Sequence, residues 1–270
     1  MILRSLARSL TAQNWATVSV ELLVVIVGVF IGIEVSNWNE NRLIEDRANA
    51  LTEKLRFELR LETRNIKTVY LYHEDVLKNA ERTLQALTGK KEISNSDLLV
   101  SAFRAAQYSL IPNNSAAYEE LVATGGIGLI TDKVTQRAAT EYFKSRLFEA
   151  VRKSGVESTY RSLLRETMPM AVHRKIRLAC GDDARRGLDI DDVQPGDLLD
   201  FKCSPDLSPI EVDVAAAALR ASELLIPALR LRIAIMDTEL ADIKARFIDG
   251  DWQRFHTEYA ESLAAAQEAP

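Results

Sequence analysis

The sequence predicts an all-α protein: a single N-terminal transmembrane helix followed by an elongated helical bundle with an acidic loop insertion. Three observations carry this. Residues 16–35 hold only two formal charges, Glu21 and Glu34. Apolar residues then recur every three or four positions over long stretches, the period of one helix face. No segment alternates with the two-residue period of a strand for long enough to build a sheet. A chain of 270 residues is ample for a sizeable core. Its net charge of −5 offers no general basic face, so no nucleic acid partner is expected. Two Cys and three His exclude a Cys-rich zinc module.

The first element is set by length. Twenty helical residues span about 30 Å, the thickness of a bilayer's hydrocarbon core. Trp15 and Trp38 flank the stretch, about 34 Å apart on a helix, and indoles prefer the headgroup level. Glu21 and Glu34 lie about 9 Å and 6 Å inside these anchors, where a carboxylate costs less than the roughly 2.5–3.5 kcal/mol of mid-bilayer. The lipid bilayer is therefore the first expected partner. A cleaved signal peptide is the competing reading, with Arg4 and Arg8 as its basic region and 22–33 as its apolar core. No small-x-small cleavage site follows in Ile33-Glu34-Val35-Ser36-Asn37-Trp38, which favours an uncleaved signal anchor. Basic residues on the two sides are balanced. The short head and the cysteine pair below tip the orientation toward a cytoplasmic head of residues 1–15, a transmembrane helix over 16–36 and a helical domain over 37–270 across the membrane.

One stripe of this helix suits a second helix. Glu21, Val25, Gly28 and Gly32 fall within about 60° of one another at 100° per residue. Two glycines allow close approach, and a carboxyl on the same stripe can bond across it. A homodimer or another membrane protein would fit there. Alternatively the glycines are ordinary membrane-helix composition and Glu21 snorkels to headgroups.

Between Gly32 and Gly89 there is neither Gly nor Pro. Leu51, Leu55, Leu59, Ile66, Val69, His73, Val76, Ala80, Leu84 and Leu87 keep one face, apart from a single gap of seven. Residues 43–88 thus read as a helix of about 67 Å, either separate from the membrane helix or continuous with it, and its stripe demands partner helices. Thr88-Gly89-Lys90-Lys91 stops it. Ser94-Asn95-Ser96-Asp97 caps a helix over 97–109, and Pro112-Asn113-Asn114-Ser115 breaks the chain again. Ala116–Ala123 is a short helix ended by Gly125-Gly126-Ile127-Gly128. Thr131 or Asp132 caps a helix running toward Met168, kinked or ended at Pro169 and continued to about Leu178. From Val212 a last long face is marked by Leu219, Ile226, Leu229, Ile233, Met236, Leu240, Ile243 and Phe247, with Pro227 predicting a kink. Asp249-Gly250-Asp251 turns into a final helix over 251–266.

The excursion at 180–209 differs in composition, with three of the seven Pro. Residues 182–213 hold ten acids against Arg185, Arg186 and Lys202, so the acidity of the whole protein resides there. Cys180 and Cys203 bracket it. Joined, they would staple a loop that has little core of its own, and a disulfide requires an oxidising compartment; two unrelated thiols in a reducing one is the alternative. The run from Asp189 invites a calcium loop, but Val193 and Gln194 stand where an oxygen ligand and the turn glycine belong. A solvated acidic loop fits better.

His73 lies on the buried stripe and reads as a core histidine. His173 and His256 form no H-x-x-x-H or H-E-x-x-H spacing. The glycines at 125–128 have neither a preceding strand nor a following Lys-Ser/Thr pair, and no G-x-S-x-G occurs. Arg152, Lys153, Arg161 and Arg165, with Tyr160, read as a solvated basic flank that could bind an anionic partner. No catalytic residue, metal ligand or cofactor is expected, and the chain is not read as an enzyme.

Two stretches carry a family resemblance. The first is Glu21-Leu22-Leu23-Val24-Val25-Ile26-Val27-Gly28-Val29-Phe30-Ile31-Gly32-Ile33 with the exit Asn37-Trp38-Asn39-Glu40-Asn41-Arg42. It resembles the signature of an uncharacterised family of bacterial single-pass membrane proteins, a domain of unknown function with an acid in the apolar helix and an N-W-N-E exit. The second, looser stretch is Ala117-Tyr118-Glu119-Glu120-Leu121 with Thr124-Gly125, Leu129-Ile130, Asp132 and Tyr142. Glu34 stands where that family's pattern has a neutral polar residue, and the Cys-bracketed loop looks like an insertion. The resemblance implies anchoring in the bacterial inner membrane and a mostly helical body, and brings no catalytic residue. Physically, Trp38 is an interface anchor. Asn37, Asn39, Glu40 and Arg42 can bond headgroups, cap the chain's exit or dock a partner. The expected role is a non-enzymatic envelope protein, with its main domain in the periplasm, that binds partners through its bundle and membrane helix. The alternative is a ligand-sensing bundle that signals through a partner, which a polar pocket between the long helices would favour.

Overall fold

A computed structural model describes residues 15–109, 115–182 and 193–268. Among them every regular element is helical. The head at 1–14, the break at Pro112–Asn114 and the acidic run through Asp192 lie outside the described residues.

The first helix, α1 (Trp15–Leu87), is a single rod of 73 residues, about 110 Å long. The membrane segment and the amphipathic stripe are thus one continuous element. No Gly or Pro interrupts 33–88, and the expectation that Asn37 or Asn39 caps an exit does not hold, because no helix ends there. From Ser19 to Arg47 the rod is exposed on all sides. From Ala48 onward one face is covered.

The rest of the chain wraps that upper length. It comprises α2 (Asn95–Ala105), α3 (Ala116–Ala123), a 3-10 turn (Gly126–Leu129), α4 (Lys133–Lys144), α5 (Leu147–Val156), α6 (Thr159–Thr167), α7 (Met170–Cys180), α8 (Pro209–Ala221), α9 (Leu225–Ile243), a π turn (Lys244–Ile248) and α10 (Trp252–Glu268). Near the membrane end, Leu51, Leu55, Leu59 and Ile66 pack on α3, α4 and the aromatic group Tyr142, Phe247, Trp252 and Phe255. At the far end, Ala80 joins α2, α6, α7, α8 and α9 around Leu99, Phe103, Tyr160 and Leu229. Tyr72, Val76, Leu199 and Met236 bridge the two.

Two caps follow the sequence: the side chain of Ser94 accepts the N–H of Asp97, and Asp132 accepts those of Val134 and Thr135. A full capping box of Ser208 with Glu211 starts α8 at Pro209, three residues ahead of the expected Val212. Gly89 and Gly250, at φ 70° and 65°, make left-handed stops that other residues adopt only at a cost.

Three expectations are corrected. The helix from Asp132 toward Met168 is three helices, not one. Ser145 Oγ accepts the N–H of Leu147, and Ser158 Oγ accepts that of Arg161, so hydroxyls restart the chain twice where only propensity favours continuity. Gly155 lets α5 close on Tyr108, whose Cβ would sit 2.5 Å from a side chain there. Pro227 does not kink a helix. It falls in the first turn of α9, where the missing N–H is not needed, and the break lies at Ser222–Leu224 instead. Finally, Tyr160 and Arg161 are not a solvated flank. Tyr160 is buried with its hydroxyl donating to the Ala102 carbonyl, and half-buried Arg161 lies 4.7 Å over the Tyr108 ring.

Candidate functional site

The expected membrane face lies open. The helix from Ser19 contains an apolar window long enough to cross a membrane, and none of that window is covered by the body. Leu22, Val25, Val29 and Phe30 are all exposed. Gly28 and Gly32 face open space, with nothing within 4 Å of where a side chain would begin. Glu21 stands on the same exposed rod. Trp15 opens the helix. Trp38, Asn37, Asn39 and Glu40 are exposed at the exit, and Arg42 faces Asp46 one turn on at 3.9 Å.

The second feature, which sequence reasoning missed, is a polar belt inside the far half of the bundle. Asp200, three residues before Cys203 and inside the disulfide-closed loop, is 7% exposed and gathers donors from two helices. Lys78 Nζ lies 2.6 Å from its Oδ2. Arg82 donates through Nη1 and Nη2 at 2.9 and 3.2 Å, and Asn79 donates at 3.2 Å. Arg104 of α2 stands at 3.8 Å, its side chain 4% exposed. Burial pulls the Asp200 carboxyl up, but the hydrogen bonds from Arg82 and Lys78 outweigh it and hold the group below the usual carboxylate range. Beside it, burial pushes the Asp75 carboxyl up, against the pull of backbone N–H bonds from Leu199 and Asp200. A carboxylate so saturated with donors fixes the loop in place and is not a free base.

Arg104 ties this belt to the disulfide. It donates to the carbonyls of Cys180 and Phe201, approaches Cys203 Sγ at 3.4 Å and lies 4.7 Å over the Phe201 ring. Cys180 and Cys203 are joined, with Cα atoms 5.4 Å apart. A cavity of about 490 Å³ opens between the end of α1, the start of α2 and this segment. Its charged lining is Arg82, Lys91, Arg104 and Lys202 against Asp97 and Asp200.

The disulfide makes a measurable contribution. A closed loop of this length stabilises by about 3 kcal/mol in the chain-entropy model. Urea unfolding of the Cys180→Ser/Cys203→Ser variant is expected to show that loss, and a loss below about 1 kcal/mol would mean that Arg104 and Asp200 hold the segment without the covalent link.

A third polar group lies between α1, α6 and α9. The Tyr72 hydroxyl donates to Asp182 at 2.9 Å. Arg232, 2% exposed, gives one N–H to the Gln107 carbonyl at 3.2 Å while its Nε and Nη1 meet no partner among the described residues. His73 is a core histidine, as expected: its Nδ1 meets the Val69 carbonyl at 2.9 Å, and burial lowers its pKa to about 4. Nearer the membrane, fully buried Glu62 accepts the Tyr142 hydroxyl at 2.6 Å. Among the described residues no cluster of three His, Cys, Asp or Glu side chains is placed to hold a metal ion.

The chain matches no protein-family model, no curated protein and no solved structure.

Proposed function

We propose that this chain is a membrane-tethered, non-enzymatic envelope protein that acts by binding partners through its helical body and its membrane helix. The observation that carries this reading is the continuity of α1. One rod presents a bare apolar length and then becomes the spine of a packed body, so whatever the body binds is held at a fixed height above the bilayer. The disulfide supports a location in an oxidising compartment, hence an uncleaved signal anchor with a cytoplasmic head and a periplasmic body. The N-W-N-E exit supports membership of the uncharacterised bacterial single-pass family. Crosslinking in native membranes followed by mass spectrometry is expected to return a recurrent membrane neighbour. No repeated neighbour above background would overturn the reading.

The cavity beside the disulfide favours a second reading, a ligand-sensing bundle that signals through such a neighbour. Charged side chains line it, and the long helix α1 bounds it on one side with the short α2 and the disulfide-closed loop on the others.

A further inference from the structure

The cavity's charge does not balance. Lys78, Arg82 and Arg104 share the single carboxylate of Asp200. Of the other acids, Asp75 is spent on backbone N–H groups, and Asp97, which lines the cavity, accepts the Ser94 hydroxyl at the start of α2, so four lining cations face two carboxylates. Lys91 and Lys202 line the mouth, are exposed, and make no side-chain ion pair among the described residues. Positive charge is therefore in excess along the lining, and Arg104 within it is locked by two carbonyls and the Phe201 ring. The same lining holds the apolar side chains of Ile93, Val100 and Phe201. A volume of about 490 Å³ is in the range that holds small ligands.

We propose that this cavity binds a small organic dianion, a phosphate monoester or a dicarboxylate. Its charged end lies between Lys91, Lys202 and Arg82, and its hydrocarbon rests on Ile93, Val100 and Phe201. Point charges on flexible stems suit a dianion without demanding one orientation, and the apolar side chains discriminate an organic ligand from a bare inorganic ion. Because Arg82 and Lys78 belong to α1, a bound dianion competes with Asp200 for cations on the rod that reaches the membrane. This site rests on the ligand-sensing reading for its consequence and not for its binding.

The test is equilibrium dialysis of the full chain, in phosphatidylcholine nanodiscs, against phenyl phosphate and against phthalate. Saturable binding of one equivalent of either probe is expected, weakening with salt, and which probe binds distinguishes the two anion chemistries. Inorganic phosphate should bind about tenfold more weakly for want of the apolar contact. Lys91→Glu/Lys202→Glu, at exposed positions, should lower affinity about tenfold or more while leaving the urea unfolding midpoint in place. Absence of saturable binding for both probes, or equal binding by the double variant, overturns the site. If binding holds but the crosslinked neighbours are unchanged by ligand, the sensing reading alone falls.

Discussion

Asp200→Ala is expected to lower the unfolding free energy of the helical body by about 3 kcal/mol, measured by urea unfolding of the full chain in detergent. The carboxylate is 7% exposed and meets Lys78, Asn79, Arg82 and Arg104 at once. Lys78 and Arg82 sit at 59% and 30% exposure, so on losing Asp200 they return to water at small cost. Arg104 cannot: at 4% exposure it keeps its carbonyl partners and loses its counter-charge. The penalty is that of a buried cation left without its main anion, with Asp75 still in its field, at the low end of the about 3–5 kcal/mol seen when buried pairs are broken. Asp200→Asn, which keeps an acceptor for Asn79 and Arg82, should cost less. Lys78→Ala should cost under about 1 kcal/mol, since an exposed partner contributes little. Equal effects for Lys78→Ala and Asp200→Ala would show that the network is a surface ion pair and not a buried tie.

The elements that depend on local chemistry were legible before any tertiary information. The apolar span needs only length and composition, and the caps at Ser94 and Asp132 need only a side chain two or three positions from an N–H. The cysteine pair was legible because two thiols bracket one loop. The buried polar groups were not, because Asp75, Asn79, Arg104, Glu62 and Arg232 occupy core positions that a polar residue type disguises. The gap of seven in the α1 stripe is the clearest case. It holds Glu62 and Thr63, both fully buried, so the stripe never breaks; a carboxylate takes an apolar place because Tyr142 arrives from α4 to satisfy it. Arg232 likewise fills the core spacing between Leu229 and Met236. A polar residue inside an otherwise regular apolar stripe was the available signal. Its partner lies 80 residues away for Glu62 and 125 for Arg232, beyond any local rule. The restarts at Ser145 and Ser158 were missed for a different reason. Serine is tolerated within helices, and it marks a boundary here by accepting a backbone N–H two or three residues on.

His73 should give the body a stability that falls as the medium is acidified from about pH 6.5 toward 4. The imidazole is 2% exposed, donates to the Val69 carbonyl in its neutral form, faces the Tyr72 ring edge-on at 5.7 Å and has the Arg232 guanidinium of α9 in its field. Burial, with Arg232 assisting, lowers its pKa from 6.5 to about 4 against the pull of the Val69 bond. The unfolded chain therefore takes up this proton before the folded one does, and stability rises with pH across the window. The group's full contribution, about 3 kcal/mol, is present above pH 6.5 and is gone once the folded-state value is passed. Other groups titrate nearby with their own signs. Glu58, Asp75 and Glu239 have raised values, because burial outweighs their hydrogen bonds, so they add stability on acidification. Glu211, held at about 2 by its bonds to Ser208 and Lys175, loses its contribution as pH falls from about 4.5 toward 2, mostly below the range of His73. The informative quantity is therefore the difference between the native chain and His73→Asn. That variant keeps an amide donor for the Val69 carbonyl, in the manner of Asn79 bonding the Asp75 carbonyl one turn back at 2.7 Å, and has no proton to exchange. Unfolding curves at pH 7 and pH 4.5 should show the native chain losing about 2–3 kcal/mol more than the variant between the two conditions. Parallel losses would mean that the ring protonates in place, with water or a neighbouring carboxylate reaching Nε2, and that the centre of the bundle is wetter than its packing indicates.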